Sequence, residues 1–397
     1  MLQKNGRLVV IVASVAVAAV VIGGAIAYGQ GPRSRGGAAA PLPAPATTPA
    51  PSTPSAKTPT PSTTPPATPT ATPSKTPDKP TGPVKITLDL AKLPRGRDPQ
   101  LPYLVGRVVR GGAGGAVTVP GKAQIHQIAR VNGVVLAVVV KGLGTELLKL
   151  GPGDGDVHRT PDVSAVVTGD DGALAAYSTT RIGSQGEELK GGTLYSDNGG
   201  FEQHKLDLPS AWGLRVLAVV NGTVYYEAGS KEGSPSELRS WKPGAANGVP
   251  LKISRPTGIS ADGKLVASMG LVSDGGSCSD ITEIATGRRL WKTCESSVEG
   301  FTPDSRTAFG GPAYADGYCS RTASALDGLT GVILREWTSC FFDTVPEDDQ
   351  HLLIVADAEN GGGEDESGQR AILRCTVGTG ACELATPLTK TGVQIGS

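Results

Sequence analysis

Six cysteines, four histidines and a scatter of carboxylates and aromatic rings are the groups in this chain able to do chemistry. The cysteines are the most ordered of them. They fall late in the chain as Cys278 and Cys294, Cys319 and Cys340, and Cys375 and Cys382, and each pair flanks one turn almost symmetrically. The midpoint of the first pair is Thr286, beside Gly287. That of the second lies between Leu329 and Thr330, and that of the third between Gly378 and Thr379, where a two-residue loop with glycine first is expected. Residues directly opposite on antiparallel strands lie at Cα separations that a disulfide bridges. Three disulfides, each within its own hairpin, are therefore expected, and the even count suits an oxidising compartment. Metal ligation is the rival chemistry, but there is no C-x-x-C knuckle and no histidine nearby.

The remaining groups do not converge on a reaction. There is no G-x-S-x-G, Walker loop, H-E-x-x-H or Rossmann fingerprint. His126, His158, His204 and His351 are scattered along the chain. Residues 151–156 (GPGDGD) have the clustered carboxylates that calcium takes, but the motif occurs once and reads as a plain loop. The acidic 361–366 (GGGEDE) reads as a solvated loop, with cation binding as its alternative. Trp291 and Trp337 each stand three residues before the second cysteine of their pair, which marks a repeated packing position. No catalytic residue, metal site or cofactor is assigned.

What must position these groups is a repeated unit of four short strands. Residues 255–294 show it most clearly: alternating runs separated by Asp262-Gly263, by a loop at 274–276 and by Thr286-Gly287. The first turn, between strands a and b, recurs at Asn132-Gly133, Asp171-Gly172, Asn221-Gly222, Asp262-Gly263, Asp304-Ser305 and Asp348-Asp349, with spacings of 39, 50, 41, 42 and 44 residues. Each is followed by an apolar or alternating run that reads as strand b. A period near forty predicts an all-β, seven-bladed β-propeller over 84–397, with six blades as the alternative; a β-sandwich of similar strands is the competing architecture. Residues 103–109 and 116–120 read as strands c and d of a blade lacking its first half, and the alternation at 392–396 can complete it and remove the free edges.

In this architecture a–b and c–d turns open on one face, b–c and d–a connections on the other. The a–b turns read as almost all two-residue hairpins, so their face is rigid. The b–c segments at 180–192, 228–235, 270–277, 311–317 and 358–368 are longer and carry charges and rings. Arg181, Glu187, Glu188, Asp274, Tyr314, Asp316, Tyr318, Asp365 and Glu366 are accordingly the candidate ligand-binding residues.

The period and the turn positions resemble those of WD-repeat-like and TolB-like propellers, in particular the membrane-tethered extracytoplasmic kind of actinobacteria. The resemblance covers roughly 84–397 and rests on the turns, without a Trp-Asp dipeptide or a Gly-His signature. Two classes of function are compatible with it: a non-enzymatic binding, scaffold or sensor module at the cell envelope, or a secreted hydrolase or lyase with its site at the central channel.

The N-terminal part sets the compartment. Residues 8–28 are 21 uncharged residues, long enough to cross a bilayer once. Lys4 and Arg7 favour a cytoplasmic tail at 1–7, against which stand Arg33 and Arg35. Ala25-Ile26-Ala27 would suit a cleaved signal peptide and a secreted protein instead. Residues 31–83 hold 16 of the 31 prolines and no aromatic residue, so they are expected to be disordered and extended, spanning on the order of 150 Å as polyproline II. Seven basic residues and one acidic residue precede position 84, leaving 30 basic and 36 acidic after it. That balance argues against nucleic acid as a partner. A monomer contacting an envelope protein, peptide or glycan is expected. Fractionation should find the protein with the membrane; a bulk population in the medium with a new N-terminus at Tyr28 would establish the cleaved form.

Overall fold

The computed structural model describes residues 82, 84–151, 157–200, 203–270, 276–315, 318–358 and 368–397. The chain divides into a unit at Met1–Thr72, outside the described residues, and one at Pro73–Ser397 that carries every element below. The apolar run at 8–28, the proline-rich segment up to 81, and the acidic residues of 152–156 and 361–366 also lie outside them. Among the described residues no helix is long and apolar enough to cross a membrane.

Among the described residues, apart from one 3-10 turn at Leu90–Lys92, the regular elements are strands. β1 (Lys85–Thr87) is followed by a short meander of β2 (Tyr103–Val105), β3 (Val108–Arg110) and β4 (Val117–Thr118). Four antiparallel four-stranded sheets come next. They are β5 (Ile125–Val131), β6 (Val134–Lys141), β7 (Gly144–Leu150) and β8 (His158–Pro161); then β9 (Val163–Thr168), β10 (Ala175–Ile182), β11 (Glu188–Asp197) and β12 (Gln203–Leu208). The third has β13 (Trp212–Val220), β14 (Thr223–Gly229), β15 (Glu237–Trp241) and β16 (Val249–Ser254). The fourth has β17 (Pro256–Ile259), β18 (Leu265–Met269), β19 (Ser279–Glu283) and β20 (Arg289–Thr293). An eight-stranded sheet then takes in β21 (Ser296–Phe301), β22 (Thr307–Pro312), β23 (Ser320–Asp327), β24 (Ile333–Pro346), β25 (His351–Asp357), β26 (Arg370–Thr376) and β27 (Cys382–Leu384), together with β1. β28 (Val393–Ile395) returns to pair with β2.

The eight-stranded sheet has two halves, because β24 serves twice. Its first part pairs with β23 and the part from Cys340 onward with β25. The first strands of successive units touch in turn: β5 with β9, β9 with β13, β13 with β17 and β17 with β21; β24 meets β28, and β28 meets β5. The core lies between neighbouring sheets all round. Leu104 and Val109 pack on Ile128 and Val135, Leu136 on Val166 and Tyr177, Leu238 on Val266, and Trp291 on Phe301. Leu353 and Ile372 meet Tyr103, Val393 and Ile395. A ring of radially stacked sheets with apolar faces between them is a β-propeller.

Local chemistry explains the turns, with some departures from the sequence reading. Asn132-Gly133 and Asn221-Gly222 are two-residue turns with both residues at positive φ. The other a–b connections are longer. At 260–264 and 302–306 a hydroxyl caps the loop: Ser260 Oγ donates to Asp262 Oδ1 at 2.7 Å and Thr302 Oγ1 to Asp304 Oδ1 at 2.8 Å. Residues 103–109 form two strands, split at Gly106, so the composite sheet takes three strands from the N-terminal side and only its first from β28.

The disulfides join Cys278–Cys294, Cys319–Cys340 and Cys375–Cys382 at Cα separations of 4.1, 5.4 and 4.1 Å. The third turn does not place its left-handed glycine at 378. It repeats the pattern of the other two, with Gly380 donating to Thr376 O as Gly331 donates to Asp327 O. The tryptophans explain the repetition. Trp291 Nε1 donates to Gly328 O and Trp337 Nε1 to Gly380 O, both at 2.9 Å, so each indole docks under the next c–d turn. A Cβ on Gly331 would lie 2.6 Å from the Trp291 ring.

A strap from 85 to 100, unforeseen in the sequence, covers the outer edges of the last two units. β1 adds in parallel to β24, and Gly96 N and Pro94 O bracket Leu384 of β27 at 3.0 and 2.8 Å. Removing residues 392–397 would strip the strand that closes the ring. Loss of buried Val393 and Ile395 alone corresponds to roughly 3–6 kcal/mol, so the truncated chain should melt several degrees lower, as followed by circular dichroism; an unchanged midpoint would show that β28 does not close the ring.

Candidate ligand site at the channel mouth

The first strand of most units carries one extra residue in its ladder to the second. The extra residue is His126 in β5, Ser164 in β9, Thr257 in β17, Glu299 in β21 and Phe342 in β24; β13 has two such shifts. A bulge bends the strand and turns a side chain out of the packed ladder. Two of these groups stitch neighbouring units together. Ser164 Oγ donates to Leu214 O at 2.9 Å and Thr257 Oγ1 to Val298 O at 2.6 Å. Glu299 and Phe342 are not used in this way and remain exposed at the end of the channel that carries the b–c and d–a connections.

Around Phe342 the structure assembles a cluster from three segments. Tyr318, on the b–c loop before β23, meets Phe342 edge to face, with centroids 5.2 Å apart and planes at 89°. The Arg370 guanidinium lies 4.2 Å over the Phe342 ring and 5.7 Å over that of Tyr318, and it donates to the Tyr318 hydroxyl. Its Nε is 3.5 Å from the buried Asp357 carboxylate. Asp343 follows Phe342, and Phe342, Asp343 and Arg370 line a channel cavity of about 1130 Å³.

Glu299 and Asp343 share an electrostatic environment. Both side chains are exposed at the channel wall, yet the surrounding protein displaces part of the bulk solvent around their carboxyls. Desolvation pushes Glu299 up to about 6, helped by the Asp343 charge and opposed by the Ser297 hydroxyl. Desolvation likewise raises Asp343 to about 6 against the Thr344 N–H. Two carboxyls in this range can hold or release a proton near neutral pH, or together meet a cation.

Of the residues singled out in the sequence, Tyr318 belongs to this cluster. Tyr314, 60% exposed, sits on the same loop, which is tied to the preceding unit by Ser277 N donating to Ala313 O at 3.1 Å. Arg181, Glu187 and Glu188 lie on the β10–β11 hairpin and bond to nearby backbone. Arg181 donates to Lys190 O, Glu187 accepts from Gln185 N, and Glu188 accepts from Gly213 N. That hairpin turns within 183–187, so the segment is shorter than expected. Asp274, Asp316, Asp365 and Glu366 lie outside the described residues. Sequence reasoning missed Glu299, Phe342, Asp343 and Arg370, although a signal existed. Thr257, Glu299 and Asp343 each stand six residues before the second residue of their a–b turn.

No protein-family model matches the chain, and no curated protein matches it by sequence. Among solved structures it is similar to TolB from Acinetobacter baumannii, at 14% identity and a TM-score of 0.40 over 62% of this chain and 68% of that one. It is also similar to a prolyl endopeptidase, at 12% identity and a TM-score of 0.50 over 76% of this chain and 49% of that one. At these identities the likeness concerns the fold alone.

The raised carboxyls have a pH signature. Their folded values exceed the ordinary 4.5 and 3.8, so the stability they contribute is full below about pH 4 and is lost as pH rises through about 6. A Glu299→Gln, Asp343→Asn variant should therefore melt higher than the wild type at pH 7.5, with the gap closing toward pH 4. A gap independent of pH would mean that these carboxyls titrate normally.

Proposed function

We propose that this chain is a seven-bladed, membrane-tethered extracytoplasmic propeller that works as a non-enzymatic binding or scaffold module, taking its partner at the channel mouth. The observation that carries the reading is the exposed Tyr318–Phe342–Arg370 cluster, with Tyr314 on the same loop. Aromatic rings and arginine dominate the energetics of protein interfaces. Here the guanidinium is already held between two rings and a buried carboxylate, so little freedom is lost when a partner arrives. The blade count is supported by seven first strands, β5, β9, β13, β17, β21, β24 and β28, each opening a unit of strands. The compartment is supported by the apolar 8–28 run, the proline-rich segment after it and three disulfides.

A second reading, a propeller enzyme, is favoured by the Glu299–Asp343 pair, because carboxyls held near 6 suit general acid–base work. The two readings separate experimentally. With a partner captured from the native envelope by the exported domain and identified by cross-linking, replacing Tyr314, Tyr318 and Phe342 by alanine should weaken capture tenfold or more, at about 2 kcal/mol for each residue that anchors the contact. The melting curve should stay nearly intact. Undiminished capture would exclude this face, and turnover of the captured molecule that disappears in Glu299→Gln would establish the enzyme.

A further inference from the structure

The opposite end of the channel carries different chemistry, centred on Arg130. This residue lies in β5, two positions before the Asn132-Gly133 turn, and is 4% exposed. Its Nη2 donates to Gly115 O at 2.9 Å, but its Nε and Nη1 have no hydrogen-bond partner among the described residues. Burial lowers its pKa, with no carboxylate opposing the shift. Arg374, buried as deeply, shows the usual solution: it donates to Glu347 and Glu383, and these bonds raise its pKa. A guanidinium stays charged at any ordinary pH, and a buried charge without a counter-charge is strongly unfavourable.

The surroundings suit a small anion. Residues 111–115 (GGAGG), the turn between β3 and β4, lie directly on the guanidinium. A Cβ on Gly112 would sit 3.3 Å from Arg130 Cδ, and one on Gly114, whose φ is +149, would collide with Nη1. Glycine is what lets the backbone come this close; the loop gives Arg130 only the Gly115 carbonyl, and its Gly112 N–H is already held by Gln100 O at 2.7 Å, so the guanidinium itself is the group left to meet an anion. Arg130, Pro102, Gly112, Ala113, Asn132 and Gly133 all line the channel cavity. Asp170 and Asp171 line it as well, and their charges disfavour a dianion over a singly charged group.

We propose that Arg130 and the 111–115 loop form a carboxylate-binding site at the a–b end of the channel, separate from the aromatic mouth. The loop covers the guanidinium when the site is empty and lifts to admit the ligand. The test compares melting of the full chain in acetate, in inorganic phosphate and in chloride at equal ionic strength. Acetate should raise the wild-type midpoint saturably by a few degrees over chloride, with phosphate weaker, and Arg130→Met should abolish the difference. Phosphate acting more strongly than acetate, saturably and only with Arg130 present, would overturn the carboxylate assignment. No saturable wild-type response, or an equal response in Arg130→Met, would overturn the site itself. If Arg130→Met does not fold, nitrogen NMR of arginine-labelled wild type decides: one buried Nε–H resonance should shift on titration with acetate and not with chloride, and an unmoved resonance overturns the proposal.

Discussion

A four-stranded sheet with apolar residues on both faces cannot stand in water unless neighbouring sheets cover it, and in a ring every sheet has two neighbours only if the ring closes. Closure here rests on three backbone pairs: Tyr103 with Ile395, Leu104 with Gln394 and Val105 with Val393. They are supported by Gln394 Nε2 donating to Ile125 O at 2.6 Å and by Gly396 N donating to Pro102 O at 2.7 Å. The two ends of the domain thus meet in one sheet. The interface formed by Leu104 and Val109 with Ile128, and that formed by Tyr103 with Leu353, both depend on that meeting.

Closure at the centre is matched by reinforcement at the rim, concentrated on the last units. Three disulfides tie outer strands to their neighbours, two tryptophans reach under the next turn, and the 85–100 strap covers two exposed edges. Arg374 fastens the strap through the carbonyls of Arg97 and Asp98, and Glu347 does so through Gln100 N. This buried pair is worth its desolvation because each member satisfies several groups at once. The bulges free Glu299 and Phe342 for the mouth, while Ser164 and Thr257 stay bound to their neighbours.

The channel therefore has two unlike ends. One presents rings, an arginine and two carboxyls with raised affinity for protons; the other hides Arg130 beneath glycines, two of its guanidinium nitrogens without a hydrogen-bond partner among the described residues. Arg370 and Arg130 differ in what surrounds them, namely Asp357 and two aromatic faces in one case and backbone and apolar groups in the other.

Features that depend on short runs of residues were legible before any fold was known. Asn132-Gly133 and Asn221-Gly222 suit tight turns because asparagine and glycine accept the positive φ that such turns demand, and the cysteine pairs suit hairpin bridges because each lies symmetrically about its own turn. The repeated tryptophan position and the strand period were legible for the same reason: each depends on residues within about forty positions of one another. The tertiary fold alone set β24 against both β23 and β25, β1 on its edge, Glu299 within reach of the Asp343 charge, and Tyr318 against Arg370, 52 residues away in sequence. These depend on how units curve around a common axis. That curvature follows from the packing of whole sheets, and no short run of residues encodes it.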